Sequence, residues 1–296
     1  MNVPAALAEA VARAVGRPVT AGRPASGGSI NEAWALEFEG GERAFVKTRA
    51  DAAPGEYTTE AAGLRWLAEP EAVELPTALA VADDDRGPRF LALEWIEEGA
   101  LSAAGAEALG RGLAALHAAG APAFGASPPG ACAAMRIGPL SLPNEPAADW
   151  PTFYVEARLL PLVRMAADRG AVTAAGRRAV ERVCARIVTL AGPPEPPARL
   201  HGDLWGGNVL AGSDGRGRLI DPAAYGGHRE VDLAMLRLFG APSARVFAAY
   251  DEAAPLAEGH EDRVALWQLF PLLVHAVLFG GHYGQSVEQA ARRYAD

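Results

Sequence analysis

Three oxygen-bearing side chains, Asp203, Asn208 and Asp221, fall close together in the chain. Asp203 and Asn208 lie in the run His201–Leu210, which reads His-Gly-Asp-Leu-Trp-Gly-Gly-Asn-Val-Leu, and Asp221 ends the run Arg218-Leu219-Ile220-Asp221. Asp214-Gly215 between the two runs is a hairpin turn signal. One loop and one hairpin would therefore present all three groups together. Phosphoryl transfer uses such a set. One carboxylate orients the attacking hydroxyl and takes its proton, while an amide oxygen and a second carboxylate hold magnesium against the phosphates. A plain Gly-rich surface hairpin could carry the same turn residues. It would not account for the order carboxylate, amide, carboxylate between two apolar runs.

The elements that would hold phosphates precede this loop. After a helix over residues 1–16 and a weak strand over Val19–Ala25, Gly27-Gly28-Ser29 forms a turn before the strand Trp34–Phe38. Gly40-Gly41 makes a tight hairpin, and Arg43–Lys47 returns as a strand with a lysine near its end. Glycines let a backbone approach phosphates closely, and their exposed N–H groups can cradle them. Lys47 would then meet the phosphates, paired with a helix glutamate. The helix Gly55–Leu67 offers Glu56 and Glu60, one turn apart. Two further strands, Ala78–Ala82 and Arg89–Ile96, run into acidic Glu97-Glu98-Gly99. In a kinase plan the backbone near Glu94 and Ile96 would meet the adenine. No Walker A pattern and no clean GxGxxG occurs, which excludes P-loop and dinucleotide-binding readings. Beyond Asn208 there is no Asp-Phe-Gly or Ala-Pro-Glu, which argues against a protein kinase.

At these residues a family comes into view. His201–Leu210 resembles the catalytic loop of the fructosamine (ketosamine) kinases, kinase-like small-molecule phosphotransferases related to the aminoglycoside and choline kinases. The wider class shares His-Gly-Asp-x4-Asn, and the Leu-Trp-Gly-Gly stretch is similar to the ketosamine branch. The resemblance runs from about Ser26 to Tyr294. It implies an α+β, protein-kinase-like two-lobe fold. Residues 1–97 would form an N-terminal lobe with a five-stranded antiparallel sheet and one key helix, and residues 98–296 a mainly helical lobe. It implies ATP and Mg2+ as cofactors, and phosphorylation of the 3-hydroxyl of a fructosamine or ribulosamine, a deglycation activity. Asp203 would be the base, and Asn208 and Asp221 the metal ligands. Gly27, Gly28, Ser29, Lys47 and Glu60 would bind nucleotide, Glu60 being preferred because Glu60-Ala-Ala-Gly-Leu64 resembles the family's helix. His201 would orient the loop. The stretch Tyr225–Ala234 resembles the family segment after the metal aspartate, so Asp232 and Arg229 would tie the loop in place, while His228 would do likewise or face the substrate. Some family members carry a cysteine in the Gly-rich loop; Ser29 occupies that place here, so thiol regulation there is not expected.

Trp205 lies between base and metal ligand, flanked by glycine. Its indole is expected to stack on the sugar or its amine substituent. After Gly99 the pattern turns helical: Glu107–His117, a helix beginning at Trp150, Arg178–Leu190, and Asp262–Phe279 with Trp267, Phe270, Val274 and Val277 on one stripe. Gly120–Pro129 and Pro139–Pro151 read as irregular loops. His275 reads as a packed histidine.

Composition sets the outer limits. A chain of 296 residues can bury a sizeable core. The formal charge of −9 argues against nucleic-acid partners. No uninterrupted apolar run of about 18 residues suggests a membrane span, and no secretory signal is evident. Two cysteines, Cys132 and Cys184, make no disulfide framework, which fits a reduced cytoplasmic setting. The expected partner is a small or protein-borne ketosamine, with the chain a monomer or weak homodimer. The rival readings are another small-molecule kinase of this fold, for an aminoglycoside, choline or a homoserine-like substrate, and a dead pseudokinase. The second would be expected to have lost Lys47, Asp203 or Asp221, and all three are present.

Overall fold

A computed structural model describes residues 3–26, 31–84 and 87–295. Helix α1 (Ala5–Val15) is followed by strands β1 (Val19–Pro24), β2 (Glu32–Phe38) and β3 (Arg43–Thr48), helix α2 (Glu56–Ala68), and strands β4 (Ala78–Ala82) and β5 (Phe90–Glu94). The strands form one antiparallel sheet in the order β1-β2-β3-β5-β4. Gly40 and Gly41 both take positive φ at the β2–β3 turn, as the glycine pair predicted.

The two helices cover opposite faces of this sheet. Leu7 and Val11 of α1 pack against Leu36, Val46 and Phe90, while Tyr57, Ala61 and Leu64 of α2 pack against Leu91 and Leu93. Strand alternation therefore decides where Lys47 goes. Val46 points to α1, so its neighbour Lys47 points to the α2 side, where Glu60 waits. The N-terminal part holds the five expected strands and a second helix, α1, beside the one expected to matter.

The chain beyond is mainly helical. It contains α3 (Ala103–Ala118), a short hairpin of β6 (Met135–Ile137) and β7 (Leu140–Leu142), then α4 (Trp150–Phe153), a π-helical stretch Tyr154–Leu159, α5 (Leu160–Asp168) and α6 (Ala174–Leu190). The hairpin corrects the expectation of an irregular segment over Pro139–Pro151. Its strands are three residues long, too short to show a period between prolines. Strands β8 (Ala198–Leu200), β9 (Val209–Ala211), β10 (Gly217–Leu219) and β11 (Tyr225–Gly227) then frame the loop of residues 201–208 as two small ladders, β8 with β11 and β9 with β10. Helices α7 (Glu230–Leu238), α8 (Ala244–Ala253), α9 (His260–Trp267), α10 (Leu269–Phe279) and α11 (Tyr283–Arg292) complete the fold.

The tail expected as one helix over Asp262–Phe279 is two helices that meet at Gln268. By length and composition His260–Phe279 could cross a membrane, but 67% of its apolar window is buried inside the protein. Trp267, Phe270, Val274 and Val277 all lie in the core with α5, α6 and α11. The segment after β5 joins the two parts by pairing with the β9–β10 hairpin: Gly99 N–H donates to Ala211 O, and Ser213 N–H to Glu97 O.

Candidate active site

The loop of residues 201–208 begins where β8 ends. Gly202 turns the chain at φ 81°, and a Cβ there would lie 2.0 Å from the Ala223 carbonyl, so only glycine fits. Asp232, buried on α7, accepts from the N–H groups of His201 (2.7 Å) and Gly202 (2.9 Å). A carboxylate capping two backbone donors fixes the turn from beneath. His117 on α3 places Nε2 3.3 Å from the same carboxylate, and its Nδ1 lies 2.8 Å from the Tyr250 hydroxyl. His201 is buried, and burial lowers its pKa. Its Nδ1 accepts from Asp203 N–H (3.3 Å), and its Nε2–H donates to Ile220 O (2.9 Å). A neutral His201 thus ties the backbone of Asp203 to the residue before Asp221.

Asn208 closes the loop. Its Nδ2 donates to the Asp203 carbonyl (2.8 Å) and to Asp203 Oδ2 (3.0 Å), which leaves the amide oxygen for another partner. Burial pushes the Asp203 carboxyl up to about 7; the Asn208 amide pulls it down, and the Asp221 and Asp232 carboxylates add to the rise. Asp221 stands at φ 55°, in the left-handed region that non-glycine residues seldom occupy. Backbone strain of this kind concentrates at working sites. The turn aims its carboxylate at Lys47, whose Nζ lies 2.6 Å from Asp221 Oδ1 and 2.7 Å from Glu60 Oε1. Burial disfavours the ammonium charge, but the two carboxylates outweigh it and raise the Lys47 pKa. Burial likewise raises the Glu60 carboxyl, against the pull of Lys47.

One cleft brings Lys47, Glu60, Asp203, Trp205, Asn208 and Asp221 together. Glu56 also reaches it but is spent on Arg49, 2.9 Å away, so Glu60 is the partner of Lys47. Gly27, Gly28 and Ser29 fall outside the described residues. Glu94 ends β5, with its N–H donated to Thr77 O and its carboxylate 3.2 Å from Thr77 N. Ile96 lies two residues further on, and neither it nor Glu94 lines this cleft. Trp205 remains 39% exposed, its ring against Gly207 and edge-on to Phe239.

The chain matches the fructosamine kinase family over residues 4–296. It belongs to that family. A probable ketoamine kinase of Synechocystis sp. is 32% identical over 293 residues, covering 97% of this chain and 95% of that protein. The crystal structure of a provisional fructosamine-3-kinase from Thermobifida fusca superposes with a TM-score of 0.88 at 45% identity, covering 97% of this chain and 98% of the other. An aminoglycoside phosphotransferase solved with ADP and hygromycin B shares the fold, with a TM-score of 0.62 at 16% identity over 98% of this chain and 99% of that one. As a member of the fructosamine kinase family, the chain is a phosphotransferase.

Within this family framework two expected residues sit elsewhere. His228 is buried away from the cleft, stacked on Trp267 with ring centroids 5.4 Å apart, and its Nε2 lies 3.8 Å from Glu195. It does not face substrate. Two residues before the helix start at Glu230, its ring turns inward, and no sequence pattern revealed that direction. Arg229 makes no hydrogen bond to the loop of residues 201–208. It grips Glu195 in a bidentate pair (2.7 and 2.8 Å) and bonds the carbonyls of Ala254 and Pro255. Conversely, Asn31, Cys132, Arg136 and Asn144 line the cleft without any sequence signal pointing there.

Proposed function

We propose that this protein is an ATP- and magnesium-dependent ketosamine kinase that phosphorylates the sugar 3-hydroxyl, an activity suited to deglycation in the cytoplasm. The observation that carries the reading is the shared cleft of Asp203, Trp205, Asn208, Asp221 and Lys47 in a fructosamine kinase family member.

Asp203 is the base. A sugar hydroxyl is a poor nucleophile, and a carboxylate poised near neutral pH can orient it and accept its proton as the new P–O bond forms and the bond to the leaving ADP oxygen breaks. Asn208 Oδ1 and the Asp221 carboxylate suit a hard cation, because both are oxygen donors and the Asn208 nitrogen is already committed to Asp203. Magnesium held there would neutralise phosphate charge. Lys47, kept charged by Glu60, would meet the phosphates, and Gly27, Gly28 and Ser29 would also bind the nucleotide. The backbone at Glu94 and Ile96 would take the adenine, with the boundary between an N-terminal lobe (1–97) and a C-terminal lobe (98–296) just beyond. His201 and Asp232 hold the loop that carries the base. Trp205 offers the sugar or its amine a flat apolar face beside Asp203. Arg229 supports the C-terminal part at a distance. The chain acts alone or as a weak homodimer, on a small or protein-borne substrate.

The test is a panel of ketosamines, aminoglycosides and choline, with ADP release as readout. Turnover confined to ketosamines supports the reading; turnover of an aminoglycoside or choline instead would replace it.

A further inference from the structure

The cleft contains a cation that the chemistry above does not use. In the β6–β7 hairpin, Met135 is buried in the core and Ile137 packs partly against it. Arg136, with its neighbours Met135 and Ile137, lines the same cleft as Asp203 and Trp205. The hairpin is firmly held. Buried Arg158 donates to Pro143 O (2.7 Å) and Asn144 Oδ1 (2.7 Å), just past β7, and lies over the rings of Phe153 and Tyr225. Arg136 therefore projects from a fixed support.

Its own bonding is poor. The single bond among the described residues is a 3.5 Å contact to Pro54 O, and its Nε is buried with no partner. The acids of the cleft are otherwise engaged: Glu56 with Arg49, Glu60 with Lys47, and Asp203 and Asp221 with the transfer itself. A guanidinium in a cleft with donors to spare is suited to a planar anion, which it grips with two parallel bonds. A carboxylate is satisfied by one such fork. A phosphate dianion is better met by two cations, and among the described residues of the cleft no second unengaged Lys or Arg stands beside Arg136.

Resting on the ketosamine reading, we propose that Arg136 binds the α-carboxylate of a free amino acid whose amino nitrogen carries the sugar, and so selects such small ketosamines over sugar-modified protein lysines. In a protein lysine adduct no carboxylate lies near the sugar-bearing nitrogen. In an α-amino-acid adduct it is attached to the adjacent carbon, on the side of the substrate away from the reacting hydroxyl.

The experiment compares kcat/KM for fructosyl-glycine, its neutral fructosyl-glycinamide analogue, an ε-fructosyl-lysine with both backbone ends blocked, and a fructosamine 6-phosphate of glycinamide. The expected result is a preference of about ten- to a hundredfold for fructosyl-glycine over its amide, the range for a hydrogen-bonded charge pair. In Arg136→Gln that ratio collapses towards one through a rise in the fructosyl-glycine KM. Arg136→Lys restores part of it, and Ser141→Ala, opposite Arg136 in the hairpin, keeps it whole. A ratio does not depend on how much enzyme is folded, so partial misfolding leaves the test intact. Equal use of glycine and glycinamide adducts by the unmodified enzyme overturns the inference, as does an unchanged ratio in Arg136→Gln or an Arg136-dependent preference for the 6-phosphate alone. These outcomes leave the kinase reading standing. Failure to use any ketosamine would instead overturn that reading.

Discussion

Replacing Asp203 by Asn should disable the enzyme and stabilise it. Burial, with repulsion from Asp221 and Asp232, moves this carboxyl from 3.8 to about 7. The folded protein therefore binds a proton there that the unfolded chain releases above about pH 4. The stability this proton contributes is present at low pH and is lost as pH rises through about 7. Fully counted, ionising the folded side chain at pH 8 costs about 4 kcal/mol. The side chain reaches the open cleft, where water screens it, so about 1–2 kcal/mol is the better figure. An Asn at this position can still accept from the Asn208 amide and carries no charge. Asp203→Asn should then melt about 2–5 °C above the unmodified protein at pH 8. The gain should shrink to roughly a third of that at pH 5, where the native carboxyl is protonated. In the same protein kcat should fall by about 10²–10⁴, the worth of a positioned base. Thermal melts at the two pH values, alongside steady-state kinetics, decide it. A variant that melts below the unmodified protein at pH 8, or by the same margin at both pH values, would refute the electrostatic reasoning. Turnover within about threefold would remove Asp203 from its role.

Other expectations follow from neighbouring contacts. Trp205→Ala should raise the ketosamine KM several-fold while leaving the ATP KM in place, as loss of a stacked ring is worth about 0.5–1.5 kcal/mol beyond area; steady-state kinetics with both substrates varied would show instead a uniform kcat loss if the ring merely props the loop. Gly202→Ala forces a Cβ within 2.0 Å of the Ala223 carbonyl at φ 81°, and should lower stability by more than about 2 kcal/mol in urea melts; a near-neutral result would mean that the loop is not held as described. Asp232→Asn weakens two backbone bonds to the catalytic loop, and should cut kcat more than tenfold with little change in ATP affinity by calorimetry; equal loss in both would place Asp232 in general stability instead.

Much of this arrangement was legible in the chain. Lys47 could be placed because strand period and a glycine-pair turn set both its face and its depth, and Asp203, Asn208 and Asp221 because the turn residues between two apolar runs leave few other geometries. Glu60 was separable from Glu56 only by resemblance. The structure separates them through Arg49, a long side chain whose reach no spacing reports. What stayed hidden depends on tertiary direction. His228 and Arg229 follow Asp221 closely in sequence, yet both turn towards Glu195, far along the chain. Arg136 sits in strands three residues long, where neither period nor turn chemistry could mark a cleft wall. The left-handed backbone of Asp221 has no composition signal at all, since the tertiary frame imposes it.

The most direct test of the central claim is the structure of the product. A ketosamine incubated with this protein, ATP and magnesium should yield a phosphate ester whose phosphorus couples, in the NMR spectrum, to the proton on the third sugar carbon. Asp203→Asn should yield none in the same time. Phosphate on another hydroxyl would contradict the proposed regiochemistry, and a ketosamine left unmodified while an aminoglycoside or choline is phosphorylated would contradict the account as a whole.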